Sequence, residues 1–287
     1  MTRARSFTLG SAATALCILA HLFLCPGRSG AADLITLSPS TKIVIKGPVP
    51  FTIHKQGLQP PASTPTAFAS VILLTGGDGV LALDAQGRVT KQGGNFLTRS
   101  AYRFMNNGVN VAILDAPGSL NGKRLSESHA RYVASAILAT RKLWPKTGIW
   151  LVGTSNGAVS AFNLAARTAA NAVPPTLPFP DRPDGVVLAS PIVQGGSETV
   201  LGTTPPYMTA QLKIPVAVVS HTSDPCPASD STLASDFATA LLSPRKKFYP
   251  VTGAMPAAAQ APCDAFSYHG FHGIEDAVVQ IIVDFIK

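Results

Sequence analysis

The apolar residues of this chain fall into short, nearly unbroken runs separated by longer amphipathic stretches. Ser70-Val71-Ile72-Leu73-Leu74, Val109 to Leu114, Gly148-Ile149-Trp150-Leu151-Val152, Gly185-Val186-Val187-Leu188-Ala189 and Ile214-Pro215-Val216-Ala217-Val218-Val219 carry almost no polar alternation. Runs of this length and branching predict strands covered on both faces, as in a parallel sheet. Between them, helical stretches are expected at Asn95 to Asn107 (stopped by Gly108), Ser126 to Leu143 (ended by Pro145), Ser229 to Leu242 and Ile274 to Ile286. Lys247-Phe248-Tyr249-Pro250-Val251 reads as a further short strand. Polarity alternates only near the N-terminus. There Lys42 to Lys46 and Phe51 to Lys55, with Gly47-Pro48 between them, predict an antiparallel hairpin at a sheet edge. Gln59 to Thr66 is a Pro-rich loop, and Asn171 to Pro183, with five prolines, must cross the surface. Strands alternating with helices at this spacing predict an α/β fold with a doubly wound, mostly parallel sheet.

The first 32 residues stand outside that pattern. Arg3 and Arg5 precede a mostly apolar run from Phe7 to Leu24, and Gly30-Ala31-Ala32 offers small residues for cleavage before Asp33. This is the layout of an export signal, with an uncleaved anchor as the alternative; Thr8, Gly10, Ser11, Thr14 and His21 weaken a permanent span. Cleavage leaves residues 33–287, about 255 residues, which suits one α/β domain. It removes Arg3, Arg5 and Arg28 and no acidic residue, so the formal charge falls from +8 to +5. The remaining basic residues are scattered, with Arg245-Lys246-Lys247 the one cluster, which argues against a nucleic-acid partner. After signal removal no membrane association is expected. Cys226 and Cys263 are then the two remaining cysteines, and in an oxidising compartment, periplasmic or extracellular, they are expected to pair; two buried free thiols are the alternative. Their bond would close a loop of about 38 residues, worth roughly 4 kcal/mol in the chain-entropy view.

Candidate chemistry centres on Gly153-Thr154-Ser155-Asn156-Gly157. A strand run precedes it and the apolar stretch Ala158 to Arg167, read as a buried helix, follows. Glycines on both sides of Ser155 allow a turn tight enough to lift the hydroxyl above the sheet. The position at a helix start leaves the N–H of Asn156 free to face developing negative charge. A turn serine capping the helix is the bland alternative. This strand, G-x-S-x-G turn and helix form a nucleophile elbow, and from about Ser70 onward the chain resembles the α/β-hydrolase superfamily.

The resemblance implies a serine, acid, histidine order along the chain. The acid should stand just beyond a later parallel strand, where open sheets present their sites. Asp224 stands there; Asp230 competes but reads better as a residue balancing the dipole of the next helix. The histidine should lie several residues ahead of an acidic residue opening the last helix. His269, six before Glu275, fits better than His272, three before it; His221 precedes the acid and breaks the order. The cysteines flank these candidates, so one disulfide would tie the acid loop to the histidine loop. A second oxyanion donor should come from the loop after the Ser70–Leu74 strand, where Gly76-Gly77-Asp78-Gly79 stands and the N–H of Asp78 is the choice. Its acidic side chain must then point away from the site. The short stretch between Ala189 and Ile214 leaves no room for a lid of the kind many relatives insert. No metal site is indicated, since His269 and His272 lack a partner set.

These readings converge on an exported serine hydrolase that cleaves a small-molecule carboxylic ester through Ser155, His269 and Asp224 without a cofactor. A peptidase or amidase with the same triad, and a non-catalytic binding protein on the same fold, are the rivals.

Overall fold

In a computed structural model of the chain, the described residues are 33–38, 41–46, 67–84, 88–169, 182–195, 198–200, 212–253 and 261–287. The export segment lies outside them, as do Phe51 to Lys55 and most of the stretch expected to lack a lid. Eight strands form one sheet: β1 (Asp33–Ser38), β2 (Thr41–Lys46), β3 (Ala69–Leu74), β4 (Val109–Asp115), β5 (Gly148–Thr154), β6 (Gly185–Ala189), β7 (Val216–His221) and β8 (Lys246–Val251), in the order β1-β2-β4-β3-β5-β6-β7-β8. The six strands from β4 to β8 in that order are mutually parallel.

The edge departs from the expected hairpin. Lys42 to Lys46 do pair antiparallel, but with the preceding Asp33–Ser38 on one side (Asp33 opposite Ile45) and with β4 on the other (Lys42 opposite Asp115). Asp33-Leu34-Ile35-Thr36 alternates as well as Phe51 to Lys55 does, and alternation identifies a strand without identifying its partner.

Five helices cover the sheet: α1 (Phe96–Asn106), α2 (Glu127–Leu143), α3 (Asn156–Ala169), α4 (Ser231–Ala240) and α5 (Glu275–Ile286). Three begin where a side chain satisfies free N–H groups. Asn95 accepts from Leu97, Ser126 from His129, and Asp230 from Thr232 and Leu233. Asp230 is thus the cap of α4, not a site residue. The strands divide the core by their two-residue period. Ile72, Leu74, Leu151, Val186, Leu188, Val216 and Val218 pack with α2, α3 and α4, while Val71, Leu73, Val152, Val187, Ala217 and Val219 pack with α1 and α5. The sheet is therefore doubly wound, and the C-terminal ends of its parallel strands converge on one rim. Among the described residues, no helix is long and apolar enough to cross a membrane.

Candidate active site

Ser155 sits between the end of β5 and the start of α3 with φ +55°, a left-handed conformation that costs a non-glycine residue about 1–3 kcal/mol. The surroundings impose it: Ser155 N–H donates to Ala189 O (2.9 Å) and Ala158 N–H donates to Ser155 O (2.9 Å). The flanking glycines are required by close approach. A Cβ on Gly157 would lie 1.9 Å from Leu74 O, and one on Gly153 2.3 Å from Gly157 O. Only hydrogen at both positions lets the end of β3, the turn and α3 meet.

His269 is carried by a short 3-10 turn, Tyr268–Gly270, that Ser267 caps by accepting the His269 N–H. Its Nδ1 lies 2.9 Å from Asp224 Oδ2, and the acceptor-only carboxylate assigns the proton to Nδ1. Asp224 Oδ1 accepts from Cys226 N–H (2.9 Å), so both carboxylate oxygens are engaged and the side chain is sealed from solvent. The other imidazole nitrogen, Nε2, is buried and makes no hydrogen bond. His269 and Ser155 line one cleft of about 400 Å³, together with Gly76, Gly77 and Asp78. Hydrogen bonds between base and nucleophile are often long before substrate arrives and tighten with it.

His272 points elsewhere: its ring stands edge-on to Phe266 (5.5 Å), and its Nδ1 is 3.9 Å from Glu275. His221 has a scaffold position. Its Nε2 is 2.7 Å from Gly253 O, its Nδ1 accepts from Ser223 N–H (3.0 Å), and its ring stacks on Tyr268 at 4.6 Å. Cys226 and Cys263 form a disulfide with Cα atoms 4.5 Å apart, which joins the acid loop to the segment leading into His269.

On the opposite wall, Asp78 turns its carboxylate into the loop, where Oδ1 accepts from Val80 N–H (3.0 Å) and Gln92 Nε2 (2.6 Å). The loop lies against the nucleophile, since a Cβ on Gly76 would come within 2.9 Å of Ser155 Cβ. Asn156 opens α3 and its side-chain Nδ2 donates to Gly77 O (3.3 Å).

Three supporting residues had no motif to mark them in the sequence. Ser190, at φ +41°, donates its hydroxyl to His269 O (2.8 Å). Gln92 holds the Asp78 carboxylate. Arg124, one of the scattered basic residues, is buried behind the Gly76-Gly77 turn. Among the described residues no cluster of three His, Cys, Asp or Glu side chains could hold a metal ion.

No protein-family model matches the sequence, and no curated protein matches it. Solved structures do. An α/β serine hydrolase homologue from Coxiella burnetii superposes with TM-score 0.56 at 14% identity, covering 88% of this chain and 95% of that one. A serine hydrolase without a lid from Xanthomonas campestris gives 0.52 at 15%, covering 91% and 94%. An esterase from Pyrococcus furiosus gives 0.50 at 12%, covering 89% and 90%. At these identities the likeness defines the fold: the chain has the α/β-hydrolase fold.

Proposed function

We propose that the protein is an exported serine hydrolase that cleaves small carboxylic esters through an acyl-enzyme. The observation carrying this reading is the His269–Asp224 pair at 2.9 Å sharing a cleft with a serine held in a left-handed elbow. In this mechanism Ser155 Oγ attacks the acyl carbonyl as His269 Nε2 takes its proton, and Asp224 steadies the imidazolium. The oxyanion is held by the N–H groups of Asn156 and Asp78. His269 returns the proton to the leaving alkoxide and the alcohol departs. Water, deprotonated by the same nitrogen, then attacks the acyl-serine and releases the acid. No cofactor takes part. Export is supported by the N-terminal segment together with the Cys226–Cys263 bond, which persists in oxidising compartments.

The test is fluorophosphonate labelling followed by rate measurements on p-nitrophenyl esters of graded length and the matching p-nitroanilides. Labelling of Ser155 and faster ester cleavage are expected. Faster anilide cleavage would make the protein an amidase, and an unlabelled, inactive but folded protein would make it a non-catalytic binding protein.

A further inference from the structure

We infer that Arg124 is a positioning residue for the oxyanion hole: from behind the Gly76-Gly77 turn its guanidinium holds the loop's carbonyls inward, so that the loop's N–H groups face the cleft. The inference rests on the hydrolase reading above and adds a residue to it.

Arg124 Nη2 lies 3.3 Å from Thr75 O, 3.3 Å from Gly76 O and 3.0 Å from Gly77 O, three successive carbonyls on one nitrogen. In a trans peptide the C=O of one residue and the N–H of the next point in opposite directions. Drawing Gly76 O and Gly77 O inward therefore turns Gly77 N–H and Asp78 N–H outward, on the face where Gly76, Gly77 and Asp78 line the cleft beside Ser155. A relaxed Gly-Gly turn has other conformations within easy reach. A peptide flip at Gly77-Asp78 would replace the donor with a carbonyl oxygen, which repels an oxyanion.

The guanidinium is itself anchored. Nη1 donates to Ser160 Oγ (2.8 Å), whose oxygen is 2.8 Å from His129 Nε2. Because Ser160 accepts from arginine, its own proton goes to His129, which must be neutral to receive it. Burial first, and the nearby arginine charge second, push the His129 pKa down to about 3, so the ring stays neutral at working pH. No carboxylate hydrogen-bonds to Arg124, and its charge is met by carbonyl dipoles and, at longer range, by Glu198 and Asp78. Burial lowers its pKa to about 10, which still leaves it protonated at neutral pH; a lysine so enclosed would lose its charge far more easily. The cation thus does two things: it sets the peptide planes, and it places positive charge directly behind the atoms that receive the oxyanion.

The test compares wild type, Arg124→Lys and Ser160→Ala with an ester substrate and with a trifluoromethyl ketone, whose serine adduct places an oxyanion in the hole. Active-site titration reports the competent fraction, so kcat is expressed per working site. For Arg124→Lys, kcat is expected to fall roughly 100-fold, and the ketone Ki to rise in parallel. KM and the shape of the pH profile should be little changed. Ser160→Ala, which loosens the arginine without removing it, should move both quantities the same way by roughly 10-fold. Wild-type kcat and ketone affinity in Arg124→Lys would overturn the inference and leave the hydrolase reading standing. So would a loss confined to the competent fraction or to KM. If Arg124→Lys does not fold, an unchanged Ser160→Ala overturns the inference equally. A wild-type enzyme with neither turnover nor ketone binding overturns the hydrolase reading itself and the positioning role with it.

Discussion

On the oxyanion wall of the cleft, one buried guanidinium and the carboxylate of Asp115 organise the backbone. Arg124 holds three carbonyls from behind, and Asp115, at the end of β4, accepts from the N–H groups of Leu81, Ala82 and Leu83 (2.7, 3.2 and 2.9 Å). On the histidine wall the restraints are covalent, ionic and aromatic. A disulfide joins the acid loop to the histidine segment, His221 stacks on Tyr268, and Arg99 reaches from α1 to Gly94 O, Gly270 O (2.5 Å) and Glu275 (2.9 Å). Each means suits what its wall presents. The oxyanion wall must offer backbone N–H groups, so it is oriented through the backbone's own polar atoms. The histidine wall must offer a side chain that turns over protons, so its loops are joined around the imidazole while Nε2 is left unbonded.

Ser155→Ala removes what both walls serve and should show the largest effect, on the order of 10⁶-fold in kcat with the fold intact. Substantial turnover in a folded Ser155→Ala protein rejects the nucleophile. On the histidine wall, His269→Ala should lose at least about 10²–10⁴-fold in kcat. His272→Ala should keep most activity, because its ring packs on Phe266 outside the cleft. The reverse pattern in the two purified variants would move the base to His272.

Next come substitutions that tell the walls apart. Replacing Cys226 and Cys263 together by serine should cost about 2–4 kcal/mol, read as a lower Tm, and should reduce kcat as Asp224 loses its register. Arg99→Met should cost about 2 kcal/mol through the lost charged hydrogen bonds to Glu275 and Gly270. Both lower the melting temperature, whereas Arg124→Lys should act chiefly on kcat. Melting curves beside rate measurements separate the two patterns, and equal Tm losses with equal kcat losses on both walls would erase the distinction.

Acid should reach the walls in sequence, and this is the smallest effect. His129, behind the oxyanion wall, has its pKa lowered from 6.5 to about 3, so the unfolded chain binds a proton there that the folded one refuses. Its contribution is present above pH 6.5 and declines by about 1.4 kcal/mol per pH unit as pH falls toward 3. At Glu275, burial works to raise the pKa, but a backbone hydrogen bond and Arg99 outweigh it and hold the group below its ordinary 4.5. That contribution persists to lower pH, fading only below 4.5 as the carboxylate takes its proton. His129→Gln should therefore flatten the decline in Tm between pH 7 and pH 5, and Glu275→Gln should leave that interval unchanged. An unaltered slope in His129→Gln would show that His129 is not kept neutral.

The sequence by itself was enough for whatever is local or follows chain order. Unbroken apolar runs identified β3 to β7 because a parallel strand must be apolar on both faces, and Asn95, Ser126 and Pro145 marked helix ends by their own hydrogen bonding. The elbow was legible because its demand for glycine acts between atoms a few residues apart and at one crossing of β3. Asp224 and His269 were legible as candidates by order, and Asp78 as a donor. Tertiary structure alone decided the rest. The strand beside Lys42–Lys46 was misread because alternation specifies a face and not a neighbour. The preference for His269 over His272 became a 2.9 Å contact only when residues 45 apart in sequence met. Arg124 left no trace, since an arginine in a polar loop reads the same whether it faces water or reaches inward. Only the fold brings it against Thr75, Gly76 and Gly77, nearly 50 residues away, where burial converts an ordinary surface charge into a fixed one.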